Sequence, residues 1–572
     1  MPGLARPGIV HRPMLEALRH HFTVQAISID LTFLAGVILA WFMPRLGDGT
    51  FTAIEKAGAS LGRRKNLAIA SIALAAVVLR LSLLWLVPVP VPHVHDEFSY
   101  LLAADTFVHG RVTNPPHPMA LFLDTIHVNQ RPTYMSKYPP AQGADLALGQ
   151  ALGNPWIGVV LSVAAMCGAV VWMLQAWVAA PWALLGGVLV LLRFGIFSYW
   201  MNSYWGGAIA ATGGALIMGA MPRIVRSCRP RDAVVMGIGV GLVMNSRPFE
   251  GLFLFLPVGV FFSAWLWGER SLGWEVAMRR FVLPLGAVAT AFAAFLCYYN
   301  WRGTGNPLMP PYLVNEQSYV STPTLLWQKA RPPIHFQNPQ FEAFYNGWMR
   351  EQWALERSDS FVHVARHLGL SVMKFVNTFL WPELCLPLLA IWWMLRDRGV
   401  SFLIAQVGIS FCGFLLVAWL FQPHYAAPLL ATVFALVVQA MRHLRRWECG
   451  GRPVGVGLTR VTVIFAVLLA PFHPWAAELG HAAPVGIEYR SRIEAQLEAA
   501  PGMHLVMVRY TPRHNVLAEW VYNEADIDHA KVVWAREIPG ADLKPLFDYF
   551  RGRQVWVLEA DELPPRLAAY PE

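Results

Sequence analysis

Charged side chains are scarce in this chain: Asp, Glu, Lys and Arg together make up only 14% of its 572 residues. A soluble protein of this length needs more charge than that to cover its surface. Hydrophobic residues instead make up 56% of the chain, and its mean hydropathy is +0.42. The composition therefore excludes an ordinary soluble enzyme and indicates an integral membrane protein.

Paired cysteines are also missing. The six cysteines fall in apolar runs or basic loops, and no two of them form a CxxC pair. A disulfide framework or a zinc site is therefore not expected. A cleavable signal peptide is not expected either, because the first apolar run starts only near Val24 and no small-residue cleavage site follows it.

Long apolar runs are what the sequence has in abundance. About twelve of them approach the length of roughly 20 residues that crosses the core of a bilayer. The 24 Trp and 16 Tyr suit the aromatic belts found at the two membrane surfaces. The expected fold class is an all-α polytopic membrane protein with about twelve transmembrane helices. The runs cover residues 24–43, 67–87, 156–179, 182–200, 207–222, 233–247, 250–268, 281–299, 381–395, 401–421, 425–441 and 459–475.

Basic residues cluster in the short loops 63–65, 223–231, 279–280, 396–398 and 442–452. Cytoplasmic loops of membrane proteins carry such an excess of Lys and Arg. If each of these loops is cytoplasmic, the crossings between 67 and 475 close without conflict, and the long loops 88–155 and 300–380 lie outside. The first run stays open: it either spans, with Asp30 deep enough to pair with Arg80, or it re-enters the same face.

Three regions follow from this pattern. Residues 1–66 form an N-terminal segment with one apolar helix, 67–475 a transmembrane domain, and 476–572 a small extracytoplasmic domain. In the last region, apolar runs at 505–508, 532–534 and 555–558 predict buried strands, and 542–550 predicts a helix. Strands alternating with helices indicate an α/β fold. This region has no GxGxxG or P-loop motif, so a structural or partner-docking role is favoured over nucleotide binding.

An acidic pair, Asp96 and Glu97, follows His95 shortly after the second apolar run, on the expected outer side. One carboxylate could act as general base for an acceptor hydroxyl, with the other as a supporting acid or metal ligand. The structural alternative is helix capping, since acids at a helix N-terminus are stabilised by free amides and by the helix dipole. The spacing alone does not decide between the two.

A basic and aromatic stretch at 131–140 leads back into the membrane. Lys137, followed by Tyr138, could hold a phosphate group as a point charge, and Arg131 could be a further phosphate ligand. The alternatives are snorkelling of Lys137 and anchoring of Arg131 at the membrane surface.

Three further polar residues lie near membrane boundaries. Arg247 is a second phosphate ligand or an interfacial anchor. His424 is a hydrogen-bonding residue of the site or a structural histidine. Glu383 lies near a membrane entry, where an ionisable group is a functional candidate, although an interfacial position makes it easy to solvate.

The order of these features resembles the GT-C glycosyltransferases, in the branch of the lipid-A aminoarabinose and protein O-mannosyl transferases. The shared elements are a transmembrane helix, an outer loop that begins with an acidic pair, and a later Lys-x-Pro-Pro element. In that branch the Lys and the two prolines are contiguous, whereas here Tyr138 stands between them. The resemblance covers roughly 67–445 and includes the Gly-rich segment 237–241, the sequence NSRPFEG at 245–251 and HYAAP at 424–428.

The resemblance implies a multi-pass glycosyltransferase of the bacterial inner membrane with its site on the outer face. A polyprenyl-phosphate sugar would be the donor, and a glycan, lipid or protein the acceptor, with inversion at the sugar. Asp96 would be the catalytic carboxylate, Glu97 its neighbour, and Lys137 the contact to the lipid phosphate. A divalent metal ion would have Asp96 and Glu97 as its candidate ligands. Nucleic acid is not an expected partner.

Two other functions stay open. A transporter or flippase of lipid-linked saccharides would place its polar residues near the bilayer midplane, in broken helices. A non-catalytic scaffold would act through the C-terminal region and leave the acidic pair dispensable. The position of the acidic pair and Lys137 in an outer loop favours the enzyme.

Overall fold

The computed structural model describes residues 31–268, 273–356, 361–417, 421–472 and 488–571. Most of these residues are helical. The helices are Leu31–Phe42, Asp48–Arg63, Lys65–Ser82, His95–Val108, Ala120–Leu123, Pro140–Ala151, Pro155–Trp177, Ala180–Phe194, Ala208–Ser227, Pro230–Met244, Pro248–Gly268, Trp274–Thr304, Pro311–Tyr319, Pro339–Phe341, Glu342–Trp348, Met349–Glu356, Phe361–Phe379, Trp381–Met394, Arg398–Phe414, Pro423–Leu444, Val454–Phe472, Glu488–Ala499 and Lys544–Tyr549.

The chain is a multi-pass membrane protein. Among the described residues, seven helices are long and apolar enough to cross a membrane, and an eighth crossing is added if the bent pair Val364–Phe379 and Trp381–Met394 is one span. Leu31–Phe42, Ala180–Phe194 and Arg398–Phe414 are shorter apolar helices. Each of the twelve predicted runs overlaps a helix, so the helical fold class is confirmed, while the count of twelve spans stays a prediction.

The basic loops lie together at one end of the helix bundle. The side-chain amide of Gln175, at the end of one helix, donates to the carbonyl of Lys65 at the start of another (3.0 Å). The helix Asp48–Arg63, which hydropathy did not predict, packs at this end, where Glu55 forms an ion pair with Arg445 (2.7 Å). This grouping agrees with one common side for the basic loops.

Small residues let the helices approach closely inside the bundle. A Cβ atom at Gly214 would clash with the carbonyl oxygen of Pro428, and one at Gly158 would clash with the carbonyl of Asp145. Such contacts are typical of membrane helices, because their packing depends on close backbone approach rather than on the hydrophobic effect.

Arg80 is fully buried in the last turn of Lys65–Ser82. Its guanidinium donates to Asn202 Oδ1 and to the carbonyl of Pro88, both at 2.9 Å, and lies 4.6 Å from the ring centroid of Trp156. The expected partner Asp30 lies outside the described residues, so its pairing with Arg80 stays a prediction.

The C-terminal region forms a four-stranded sheet. His504–Arg509 lies between Val532–Arg536 and Gln554–Glu559 and is parallel to both, and Arg566–Ala569 pairs antiparallel with Gln554–Glu559. The three predicted strands and the predicted helix, observed at Lys544–Tyr549, are confirmed. The fourth strand was not predicted, because its sequence, RLAA, has little hydrophobic patterning.

The C-terminal sheet shares a core with the first outer loop. Leu102 and Val128 of that loop lie in one buried cluster with Leu505 and Met507 of the sheet. The phenol of Tyr134 also donates to the carbonyl of Asn523 (3.0 Å). The C-terminal region is therefore packed onto the loop that carries the acidic pair.

Candidate active site

The helix His95–Val108, here called the site helix, begins with the acidic pair. The Glu97 carboxylate accepts backbone N–H groups from His93 (2.7 Å), Val94 (3.1 Å) and Tyr204 (3.0 Å). Burial raises its pKa, and these amides oppose the rise. With three amides on its two oxygens, Glu97 caps the helix and joins it to the neighbouring loop. This geometry favours the capping alternative for Glu97 over a catalytic role.

His95 faces the C-terminal region. Its Nδ1 accepts the hydroxyl of Tyr522, and its Nε2 donates to the carbonyl of Val516 (3.2 Å). Burial, with a smaller effect of His127, lowers the pKa of His95 to about 3, so the ring is neutral at neutral pH. Because both nitrogens are engaged, His95 positions the site helix against the C-terminal region.

Asp96 points the other way, into a cluster of polar side chains. Its Oδ1 accepts the hydroxyl of Tyr138, and its Oδ2 lies 3.6 Å from Nδ1 of His127. Burial alone would raise the pKa of Asp96, but His127, Lys137 and the Tyr138 hydroxyl together hold it well below its usual range. The carboxylate is a quarter exposed and stays ionised.

His127 belongs to this cluster and was missed in the sequence analysis. It has a left-handed backbone (φ 65°) just before a small hairpin whose strands are Val128–Asn129 and Met135–Ser136. Its carbonyl accepts the hydroxyl of Ser99 (2.7 Å) and the N–H of Lys137 (3.3 Å). A lone histidine 31 positions from Asp96 gives no signal of proximity, since only the fold brings the two together.

Lys137 follows the hairpin and is buried, with 5% of its surface exposed. Its ammonium lies 5.2 Å from the ring centroids of both Tyr138 and Tyr312. No described carboxylate lies within ion-pair distance of it. Burial lowers the pKa of Lys137, while Glu316 and Asp96 raise it. A buried cation without an ion-pair partner is costly, so an anion bound beside Lys137 would be stabilised there.

Glu316, on the helix Pro311–Tyr319 of the second outer loop, is the carboxylate that sequence analysis missed. It is buried, and its Oε2 accepts the hydroxyl of Thr324 (2.6 Å). It acts electrostatically on Lys137 and on Tyr312. The second outer loop therefore contributes to the surroundings of Lys137.

Arg247 approaches the same cluster from the start of Pro248–Gly268. Its guanidinium lies 3.7 Å from Glu250 and 5.3 Å from the ring centroid of Tyr425. Tyr100 connects it to the acidic end: burial raises the pKa of this phenol, Arg247 opposes the rise and Asp96 adds to it. The ring of Tyr100 also stacks on Tyr138 at 4.5 Å. Asp96, Lys137 and Arg247 thus surround one group of tyrosines.

Two predicted residues lie away from this cluster. Arg131 is exposed in the turn of the hairpin and acts electrostatically on Asp124 and Tyr319. Glu383 is fully buried just after the bend between Phe361–Phe379 and Trp381–Met394, near Arg193. Neither contacts Asp96 or Lys137. The fold therefore does not bring all the predicted residues into one site.

His424 is buried at the start of Pro423–Leu444. Its Nδ1 is 3.2 Å from the hydroxyl of Tyr199, and its ring packs edge-on against Trp205 and Tyr425, with centroids 4.7 and 5.0 Å apart. Through Tyr425 it reaches Arg247. His424 therefore lies behind the cluster and supports the tyrosine that contacts Arg247.

The two carboxylates of the acidic pair do not point to a common position. The Glu97 oxygens are taken by backbone amides, and those of Asp96 face Tyr138 and His127. Within the described ranges, no group of three or more His, Cys, Asp or Glu side chains is arranged to hold an ion. These residues do not fit a divalent ion bound by Asp96 and Glu97 together.

Comparison with known proteins gives a likeness of structure only. No family model and no curated protein matches the chain. ArnT from Cupriavidus metallidurans, solved bound to undecaprenyl phosphate, is similar with 13% identity and a TM-score of 0.45, over 86% of this chain and 92% of that one. The Archaeoglobus fulgidus oligosaccharyltransferase AglB, solved with an inhibitory peptide and a dolichol-phosphate, has 12% identity and a TM-score of 0.45, over 77% of this chain and 62% of that one.

An Archaeoglobus fulgidus oligosaccharyltransferase solved with Zn and sulfate has 12% identity and a TM-score of 0.47, over 86% of this chain and 67% of that one. These three structures are of GT-C glycosyltransferases, the superfamily that the sequence analysis named. At these identities and TM-scores, neither a branch of the superfamily nor a reaction follows for this chain.

Proposed function

We propose that the protein is a membrane glycosyltransferase that moves a sugar from a polyprenyl-phosphate-linked donor to an acceptor on the outer side of the membrane. The transferred group is a hexose or pentose, and direct attack by the acceptor inverts its anomeric centre. The acceptor is a glycan, lipid or protein. Such a reaction needs a basic group at the acceptor hydroxyl and positive charge at the departing phosphate.

The observation that carries this proposal is the position of Tyr138 between Asp96 and Lys137. Its hydroxyl donates to the Asp96 carboxylate, while the ammonium of Lys137 lies 5.2 Å from its ring centroid. The Asp96 carboxylate, proposed to act on the acceptor, therefore contacts the hydroxyl of Tyr138. The Lys137 ammonium, proposed to bind the phosphate, lies near the ring of the same tyrosine. Arg247 is the second cation near the same tyrosines.

Asp96 is the carboxylate on which deprotonation of the acceptor depends, and Lys137 and Arg247 bind the donor phosphate. Glu97 caps the site helix and so helps to hold Asp96 in place, without contacting the substrates. A sugar phosphate already carries a good leaving group, so a general acid is not needed. An ammonium in a buried place stabilises the charge that develops on the phosphate more strongly than it would in water.

The orientation is part of the proposal. The protein lies in the bacterial inner membrane with about twelve crossings, and the outer loops 88–155 and 300–380 lie on the extracytoplasmic side with the C-terminal region. The direction of the helices supports this arrangement. Near its start, Pro155–Trp177 packs against the first outer loop, where a Cβ atom at Gly158 would meet the carbonyl of Asp145. Near its end, Gln175 donates to the carbonyl of Lys65 in a basic loop.

One feature favours the alternative of a transporter or flippase. The bent helix pair around Leu380, with Glu383 and Arg193 beside it, is the kind of broken helix that transporters use. However, the guanidinium of Arg193 donates to the carbonyls of Thr378 and Asn377, which the break leaves without helical partners. Arg193 therefore stabilises the bend locally, and the enzyme stays the better-supported function.

The test is transfer by the full-length protein in proteoliposomes. The donors are a panel of undecaprenyl phosphates carrying radiolabelled hexoses and pentoses, and the acceptor is an envelope fraction from cells that lack the protein. The wild type should label the acceptor with at least one donor, and Asp96→Asn should abolish transfer without loss of folding. The matched control Asp548→Asn changes an exposed aspartate and should transfer normally. Equal transfer by Asp96→Asn would reject the assignment of Asp96.

A further inference from the structure

One nitrogen of His127 is engaged with the site, and the other has no partner among the described residues. Its Nδ1 is 3.6 Å from Asp96 Oδ2 and 3.3 Å from the phenol oxygen of Tyr138. Within the part of the chain that the structure describes, nothing hydrogen-bonds to Nε2. The side chain is 14% exposed, so a small group entering the cluster can reach it.

The protonation pattern of the three side chains follows from these contacts. Tyr138 gives its proton to Asp96 Oδ1, so its oxygen is left as an acceptor. An ionised carboxylate also only accepts. The Nδ1 of His127 faces both of these oxygens and therefore carries the ring proton. The lone pair of the neutral imidazole then lies on Nε2, the nitrogen without a partner.

Asp96 itself is poorly placed to take a proton. One of its oxygens accepts the Tyr138 hydroxyl and the other faces His127. Its pKa is held below the usual range, and a base so weak removes a proton from a hydroxyl inefficiently, because a general base works best with a pKa near the working pH. A neutral imidazole meets that requirement more closely.

We propose that Nε2 of His127 takes the proton of the acceptor hydroxyl, while Asp96 orients the imidazole and stabilises the imidazolium that forms. This assignment rests on the proposed glycosyl transfer. The acceptor oxygen forms a bond to the anomeric carbon as the bond from that carbon to the phosphate oxygen breaks. The lipid phosphate leaves with the bonding electron pair, and the acceptor proton ends on Nε2. In Ser-His-Asp enzymes, too, the imidazole takes the proton and the carboxylate orients the imidazole and stabilises the imidazolium.

The backbone fixes the ring in place. His127 has a left-handed conformation, which a residue with a side chain keeps only where its surroundings hold it there. Here the hydroxyl of Ser99 and the N–H of Lys137 both donate to its carbonyl. Ser99 lies on the site helix one turn after Asp96, so the same helix holds both members of the pair.

The charges around His127 leave it neutral at neutral pH. Burial lowers the pKa of His127 and Lys137 lowers it further, whereas Asp96 raises it, and the pKa ends below its usual value of 6.5. The base is active when neutral, so the rate should fall as the pH drops through this lowered pKa. The titratable groups that face the ring are Asp96 and His95 of the site helix, and Lys137 and Tyr138 after the hairpin. Tyr345 of the second outer loop faces the backbone of His127.

The test uses His127→Gln and His127→Ala in the full-length protein, with the labelled undecaprenyl-phosphate donors named above. Both variants should lose about 100-fold or more of the saturated rate, since a general base contributes a factor of about 10² to 10⁴. Donor binding, measured by filter retention, should be unchanged. Added imidazole should restore part of the activity of His127→Ala, in which it can occupy the vacated space, but not of His127→Gln. The control His117→Ala removes another histidine of the same loop, which pairs with Asp528 (3.2 Å), and should keep full activity.

The outcomes separate this inference from the function on which it rests. A wild type that is inactive with every donor would overturn the glycosyltransferase proposal. An active wild type together with His127→Gln within threefold of its rate would overturn the role of His127 alone. Loss of wild-type activity in EDTA, restored by Mg²⁺ or Mn²⁺, would make Asp96 and His127 a metal pair and would also overturn the assignment. An acid limb of the pH profile that persists in His127→Ala would place the base elsewhere.

Discussion

The phenol of Tyr138 donates its hydrogen to the carboxylate of Asp96, although the two residues lie 42 positions apart in the chain. In the GT-C branch that the sequence resembles, no residue separates the lysine from the paired prolines. In this chain Tyr138 contacts both the carboxylate and the cation of the candidate site, so it is a first target for mutation.

Replacing Tyr138 by Phe should slow transfer by roughly 10-fold or more, because a hydrogen bond to a charged group contributes about 1.5–3 kcal/mol. The pKa of Asp96 should rise, since the Tyr138 hydroxyl helps to lower it. Donor binding should change little, because the ring that Lys137 faces is kept. The comparison is the saturated rate and apparent donor affinity of the variant against the wild type. An unchanged rate would show that the hydrogen bond has no role in turnover.

Replacing Glu97 by Gln should destabilise the protein rather than disable its chemistry. The amide keeps one acceptor oxygen and turns a donor group towards the backbone N–H groups of His93, Val94 or Tyr204. An unsatisfied buried group costs about 1–3 kcal/mol. We expect a lower melting temperature in detergent and near-normal activity per folded molecule. A variant that is stable but inactive would instead show that Glu97 has a catalytic role.

Replacing Lys137 by Ala should weaken donor binding more than it slows the saturated reaction. The substitution removes a charge-assisted hydrogen bond from the buried ammonium to the donor phosphate. We therefore expect an apparent donor affinity about 10- to 100-fold lower. The control is Lys329→Ala, which removes an exposed lysine of the second outer loop. An unchanged donor affinity in Lys137→Ala would exclude its contact with the phosphate.

The orientation can be tested by cysteine labelling in intact cells. Cysteines introduced at exposed Lys329 and Asp548 should react with a membrane-impermeant maleimide, because both belong to the proposed outer side. Native Cys449, exposed between basic residues, should react only after the membrane is opened, and Cys412→Ser removes the other exposed thiol. Protection of Lys329→Cys, or labelling of Cys449 in intact cells, would contradict the proposed orientation.

Hydropathy predicted where the transmembrane helices of this protein lie, for a physical reason. A bilayer core excludes unpaired backbone groups, so a long apolar run has to become a helix. All twelve predicted runs overlap helices in the structure. The helix Asp48–Arg63 was missed because it is amphipathic and packs beside the bundle, where Glu55 and Arg445 pair.

The sequence by itself also determined that an acidic pair comes early in the long loop 88–155 and that Lys137 follows it in the same loop. Only the tertiary structure decided what each one contacts. Glu97 meets three amides from two separate loop segments, whereas Asp96, one position earlier on the helix, turns to Tyr138 and His127. Neighbouring helical residues point about 100° apart, so adjacent acids enter different surroundings, and which surroundings those are depends on contacts between segments far apart in the chain.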